Sequence, residues 1–135
     1  MNSEIKDPQQ YRIMKIPVNR DKSVMYYYKR YEKLPENDES LLDIPADRSI
    51  YLCHFLREID ETFVQKFFGQ VGKIRQIHFG VYKNKACNKR SKRTIYFAII
   101  VFKKPSDCEA ILANPKLIQK IVNRTTKKHV KSAFD

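Results

Sequence analysis

Apolar positions along the chain keep two different rhythms. Between Arg48 and Phe55 stand Ile50, Tyr51 and Leu52, strong β-formers, and the stretch predicts a strand. Asp60 or Thr62 can open a helix running to about Gln70, with Phe63, Val64, Phe67 and Phe68 on a broad apolar face and Gly72 closing the region. Period two returns over Lys73–Tyr82, where Ile77, Phe79 and Val81 alternate with other positions. Ile95–Phe102 is an unbroken apolar run, too short to span a bilayer, and reads as a buried strand. Lys103-Lys104-Pro105 breaks it. Ser106, with Glu109 three residues on, has the spacing of a capping box, so a helix is expected over Asp107–Ala113, stopped by Asn114-Pro115. Leu117–Val122 fits another short helix or a strand.

The ends of the chain are less regular. Tyr11–Val18 alternates in part, and Pro17 makes it an edge strand. Val24, Tyr27, Tyr28 and Tyr31 fall at i, i+3, i+4 and i+7, which predicts a Tyr-rich helix capped by Asp21 or Ser23. Leu34–Asp47, with two prolines and five of the fifteen acidic residues, reads as an irregular loop. From Arg48 the order is β-α-β-β-α, most of a β-α-β-β-α-β unit. Two segments compete for the missing closing strand: Val130–Phe134, which is short, and Tyr11–Val18, which could fill the vacant slot from the N-terminal side. The expected organisation is therefore residues 1–47 as strand, helix and acidic loop packing on a domain formed by 48–135.

Charge changes the picture of partners. The 135 residues carry a formal net charge of +12, which favours nucleic acid, acidic proteins or anionic membranes. No basic amphipathic helix carries Trp or a broad Leu/Phe face, so a membrane is the weakest choice. The N-terminal Met-Asn-Ser-Glu-Ile-Lys-Asp lacks an apolar core and is not read as a secretory signal. Two runs concentrate the positive charge: Lys83, Lys85, Lys89, Arg90, Lys92 and Arg93 in one, and Arg124, Lys127, Lys128 and Lys131 in the other. Either alone is a solvated loop or tail; both on one small domain suit a polyanion. Cys53, Cys87 and Cys108 are odd in number and include no Cys-x-x-Cys, which argues against a disulfide framework and against a metal site. Cys53 and Cys108 are expected to be packing residues in a reduced, intracellular compartment.

Two segments carry the resemblance to the RNA recognition motif. Ile50-Tyr51-Leu52 has the aliphatic-aromatic-aliphatic pattern of that family's first signature. In the octet Ile95–Phe102, Phe97, Ala98 and Phe102 match the second signature at its third, fourth and eighth places, whereas Ile95 and Tyr96 replace its usual basic residue and Gly, and Ile99 stands where a stacking ring is expected. The resemblance, from Arg48 to at least Leu112, implies an α+β, ferredoxin-like two-layer sandwich with helices on one face of an antiparallel sheet. Parity then turns Ile50, Leu52, Ala98, Ile100 and Phe102 towards the helices, and Tyr51, Cys53, Ile95, Phe97, Ile99 and Val101 away from them. So apolar a face is a poor match for water, and it is expected to be covered by the chain's own Tyr-rich segment or by a partner protein.

Tyr11–Val18, Met25–Lys29, Arg48–Phe55 and Val101–Leu112 together resemble the N-terminal domain of the ribosomal RNA-processing protein 7 family, with Ile16-Pro17 and Phe102-Lys-Lys-Pro-Ser106 carrying most of the likeness. The resemblance implies a nucleolar factor in small-subunit assembly, part of the small-subunit processome beside casein kinase 2 and a nucleotidyltransferase-like protein.

The residues contain no Gly-rich phosphate loop, nucleophile motif or metal spacing, so no enzyme and no cofactor is expected. The expected function is non-catalytic: pre-ribosomal RNA gripped by Lys83, Lys85, Lys89, Arg90, Lys92, Arg93, Arg124, Lys127 and Lys128, with Tyr51 and Phe97 as candidate stacking rings. Partner proteins would dock on Tyr27, Tyr28, Tyr31, Ile99 and Val101. The alternatives are a protein scaffold without RNA contact and a generic single-stranded RNA binder.

Overall fold

A computed structural model describes residues 11–32, 43–55, 57–85 and 92–134. Five strands form one antiparallel sheet: β1 (Arg12–Pro17), β2 (Ser23–Arg30), β3 (Ser49–Phe55), β4 (Ile74–Lys85) and β5 (Lys92–Phe102), in the spatial order β1-β2-β3-β5-β4. Three helices, α1 (Glu61–Phe67), α2 (Pro105–Ala113) and α3 (Leu117–Phe134), cover one face. The fold is an α+β two-layer sandwich of the ferredoxin-like kind. The two strands expected at its centre, β3 and β5, pair along the whole of β3, from Ser49 opposite Val101 to Phe55 opposite Ile95.

The core follows from period two. Met14, Tyr26, Tyr28, Ile50, Leu52, Ala98, Ile100 and Phe102 point from the strands into one cluster. Val64 and Phe67 of α1, Cys108 and Ile111 of α2, and Ile118, Ile121 and Val122 of α3 fill it from the other layer. Asp60 caps α1 as its position suggests, its Oδ1 accepting from the Phe63 N–H at 2.8 Å.

Four expectations change. The Tyr-rich segment is not a helix but strand β2, with Tyr26 and Tyr28 in the core and Tyr27 on the opposite face. Aromatic and β-branched residues favour a pleated surface, and β3 offers a row of backbone groups that only another strand can pair. Asn19 then makes the turn where a helix cap was expected: its Oδ1 accepts from Asp21 and Lys22 N–H at 2.9 and 3.0 Å. Second, β2 rather than the Tyr11–Val18 strand fills the slot beside β3, and β1 lies one place further out. Third, Val130–Phe134 is no closing strand, because α3 runs on to Phe134. Fourth, α2 starts one residue before Ser106, with Pro105 in its first turn and Lys104 at the cap making no side-chain hydrogen bond. Glu109, the other half of the expected capping box, instead pairs with Arg30.

Helix α3 also closes the edge of the sheet. Gln119 grips the β1 backbone at Lys15, its Oε1 accepting from the N–H at 2.8 Å and its Nε2 donating to the carbonyl at 2.9 Å. One side-chain amide thus satisfies groups that an edge strand would otherwise offer to another chain.

Candidate nucleic-acid interface

The face of the sheet away from the helices is built in rows set by register. Tyr27 stands opposite Cys53, Cys53 opposite Phe97, and Phe97 opposite Gly80. In the next row Lys29, Tyr51, Ile99 and His78 follow one another across four strands. Tyr51 and Phe97, the two candidate stacking rings, lie on this face as parity requires and stack on each other, with centroids 5.5 Å apart and planes 28° from parallel. Gly80 makes room for them: a Cβ there would sit 2.2 Å from Phe97 Cζ. The added hairpin continues the aromatic surface through Tyr27, edge-on to Tyr11 at 6.5 Å, with Lys29 Nζ 4.7 Å from the Tyr11 ring centre. Lys29 went unnoticed in the sequence because its segment was read as a helix, and Tyr11 because the strand it precedes was given no partner in that segment; alternation from Val24 would have placed Tyr27 and Lys29 here.

The chain covers part of this face itself. Ile99 and Val101 are 1% and 2% exposed, packed in a second small cluster with Tyr31 and Ile44. The cover is pinned at its root. Tyr31 N–H donates to the Ser49 carbonyl at 3.0 Å, Ser49 Oγ donates to the Pro45 carbonyl at 2.6 Å, and Arg30 Nη1 donates to the Ala46 carbonyl at 3.2 Å. Of the five candidate docking residues, Tyr28 therefore lies in the main core, Tyr31, Ile99 and Val101 lie under or within the cover, and Tyr27 is half-buried on the outer face. Docking through Ile99 or Val101 requires the cover to move.

The basic residues divide between two places. Past the Phe55–Ile95 pair, β4 and β5 continue alone as a two-stranded ribbon. Its register sets Lys83 opposite Thr94, Asn84 opposite Arg93 and Lys85 opposite Lys92. Lys89 and Arg90 lie outside the described residues. Lys127 and Lys128 fall in the second half of α3. Arg124 belongs to the helical layer, where its Nη2 donates to Gln70 Oε1 at 3.1 Å and ties α3 to the 3-10 turn that follows α1. It is on the opposite side of the sheet from Tyr51 and Phe97.

Burial raises the Cys53 thiol to about 11, with Lys29 pulling the other way, and raises the Cys108 thiol to about 11 as well. Both stay protonated at neutral pH, as packing residues do. Among the described residues no group of His, Cys, Asp and Glu is placed to hold a metal ion, and no helix is long and apolar enough to cross a membrane. The chain matches no protein-family model, and no curated protein matches it significantly.

Proposed function

We propose that this protein is a non-catalytic RNA-binding module, with the cationic β4–β5 ribbon as its main contact. The observation that carries the reading is the register: it brings Lys83, Lys85, Lys92 and Arg93 together at one end of the sheet, beside a face bearing Tyr51 and Phe97. Phosphate contact needs charge and reach, which the ribbon supplies; the rings add sequence-tolerant contact. The resemblance noted in the sequence extends the proposal to pre-ribosomal RNA and a nucleolar place in the small-subunit processome, beside casein kinase 2 and a nucleotidyltransferase-like protein.

Titration of labelled RNA across a salt series tests the core of this reading. Affinity should fall with a log–log slope of roughly −0.7 to −0.9 per phosphate contacted. Replacing Lys83, Lys85, Lys92 and Arg93 together with Ala should flatten that slope and weaken many RNA sequences alike. An unchanged slope in that variant would place the contact elsewhere.

A second reading, a protein scaffold without RNA contact, draws on Ile13 and Met25. These side chains are 45% and 43% exposed on β1 and β2, in the same alternation as Tyr27. Under it, Met25→Glu abolishes recovery of processome proteins in a pull-down while the ribbon variant recovers them in full.

A further inference from the structure

We propose that the outer edge of β4 takes up an extended peptide as a further strand of the sheet, and that this peptide is apolar at its centre and acidic at both ends. The inference is independent of the RNA-binding reading.

The two edges of the sheet are finished differently. Gln119 occupies the backbone of β1 at Lys15. Strand β4 pairs, among the described residues, only with β5, so every second residue turns its N–H and C=O away from the sheet. Idle edges are normally blunted by charge, Pro or a bulge. The register irregularity of β4 lies between Ile74 and Gln76, and residues 76–81 beyond it include no Pro, Lys, Arg, Asp or Glu.

Apolar surface accompanies this edge. The register sets Ile77 opposite Ile100, Phe79 opposite Ala98 and Val81 opposite Tyr96, on the helix-bearing side of the sheet. Ile77 packs against the core, whereas Phe79 and Val81 remain 47% and 55% exposed. Beside them is a hollow of about 330 Å³ that Ile59 and Tyr96 also line. An added strand answers both features. It pairs the outward backbone groups and lays alternate side chains over Phe79 and Val81.

Charge selects the occupant. The sequence of β4 holds Arg75, Lys83 and Lys85 and no acid, with these bases towards its two ends and the apolar positions between them. A second copy of the chain, paired antiparallel about Phe79, would bring Arg75 towards Lys83 at both ends, and like charges opposite one another destabilise a strand pair. A peptide with acidic ends meets the same bases with the opposite sign. Its centre must be uncharged, because Glu58 lines the hollow beside Val81 and Glu61 lines a neighbouring one beside Ile77.

The test uses the full chain and labelled synthetic peptides of about ten residues, the length of a long strand. One has Val and Thr alternating between acidic ends, one has the same centre between Lys ends, and one has acidic ends and a central Pro. By fluorescence anisotropy at physiological salt, the acidic-ended peptide should bind about tenfold or more tighter than the Lys-ended one, the sum of several exposed ion pairs. The central Pro should abolish binding. In the complex, backbone amides of residues 76–81 should exchange more slowly while those of β1 are unchanged. Phe79→Thr with Val81→Thr, which keeps β-forming residues at two exposed positions, should weaken binding about tenfold. Equal binding of acidic-ended and Lys-ended peptides, or slowed exchange on β1 and β2 instead, overturns the proposal. So does exchange at residues 76–81 that is already slow without peptide, which would mean that the chain covers this edge itself. A dimer in sedimentation that the peptide does not dissociate gives the edge to a second copy and also overturns it. Absence of binding by every peptide sinks it and leaves the RNA-binding reading standing.

Discussion

Gly80 and Phe97 occupy one place on the outer face, since a methyl group at Gly80 would overlap the Phe97 ring. Gly80→Ala should therefore cost about 1–3 kcal/mol, the range for overpacking. Most of that cost should vanish in a Phe97→Ala background; a double-mutant cycle by urea denaturation measures the coupling. Ile99 gives a second prediction. Ile99→Asp would bury an unpaired charge under Tyr31 and Ile44 and should destabilise the fold by about 3–5 kcal/mol, whereas Met25→Asp on the exposed hairpin should stay within about 0.5 kcal/mol. The third concerns pH. Burial moves Cys53 and Cys108 from 9.0 to about 11 and Tyr28 from 10.0 to about 12. The folded state holds these protons longer than the unfolded chain, so the associated stability is intact below pH 9 and is lost as pH rises through 11 to 12. Denaturation midpoints measured from pH 8 upwards should fall across that window, and Cys53→Ser with Cys108→Ala should shallow the part between 9 and 11.

At the scale of elements, short apolar runs are ambiguous and context decides them. Val24–Tyr31 satisfies a helical stripe, yet it also alternates, with Val24, Tyr26 and Tyr28 packing inwards. The free edge of β3 settles the choice, because backbone groups left beside a core must be paired. Leu117–Val122 is by its pattern equally open to helix or strand, and the helix wins: α3 carries Leu117, Ile118, Ile121 and Val122 against the core. That helix replaces a closing strand, and Gln119 performs the edge-sealing that a further strand would. Gln119→Ala should cost about 1–2 kcal/mol, for two hydrogen bonds lost together, and should raise amide exchange at Lys15 before it affects β3. The bare cap of α2 offers a gain: Lys104→Ser should add about 0.5–1 kcal/mol to the denaturation free energy.

For the whole molecule, the sheet joins segments distant in sequence. Met14, Tyr26 and Tyr28 come from the first two strands and sit in the same cluster as Phe102 and Ile118. A chain starting at residue 33 would lose β1 and β2 and expose both the β3 edge and one end of the core. It should show no cooperative unfolding transition by near-UV circular dichroism, while the intact chain shows one.

Local patterning alone settled the β-α-β-β-α order, the inward set Ile50, Leu52, Ala98, Ile100 and Phe102 and the cationic runs, and narrowed the first helix cap to Asp60 or Thr62, because side-chain period and charge are properties of adjacent residues. The same parity also flagged the outer face as too apolar to stand in water. It could not say that Tyr31 and Ile44 cover Ile99 and Val101, or that the hairpin supplies the missing strand. Those outcomes depend on which separate segments meet, and only the folded chain brings Tyr31 to Ser49 and Gln119 to Lys15.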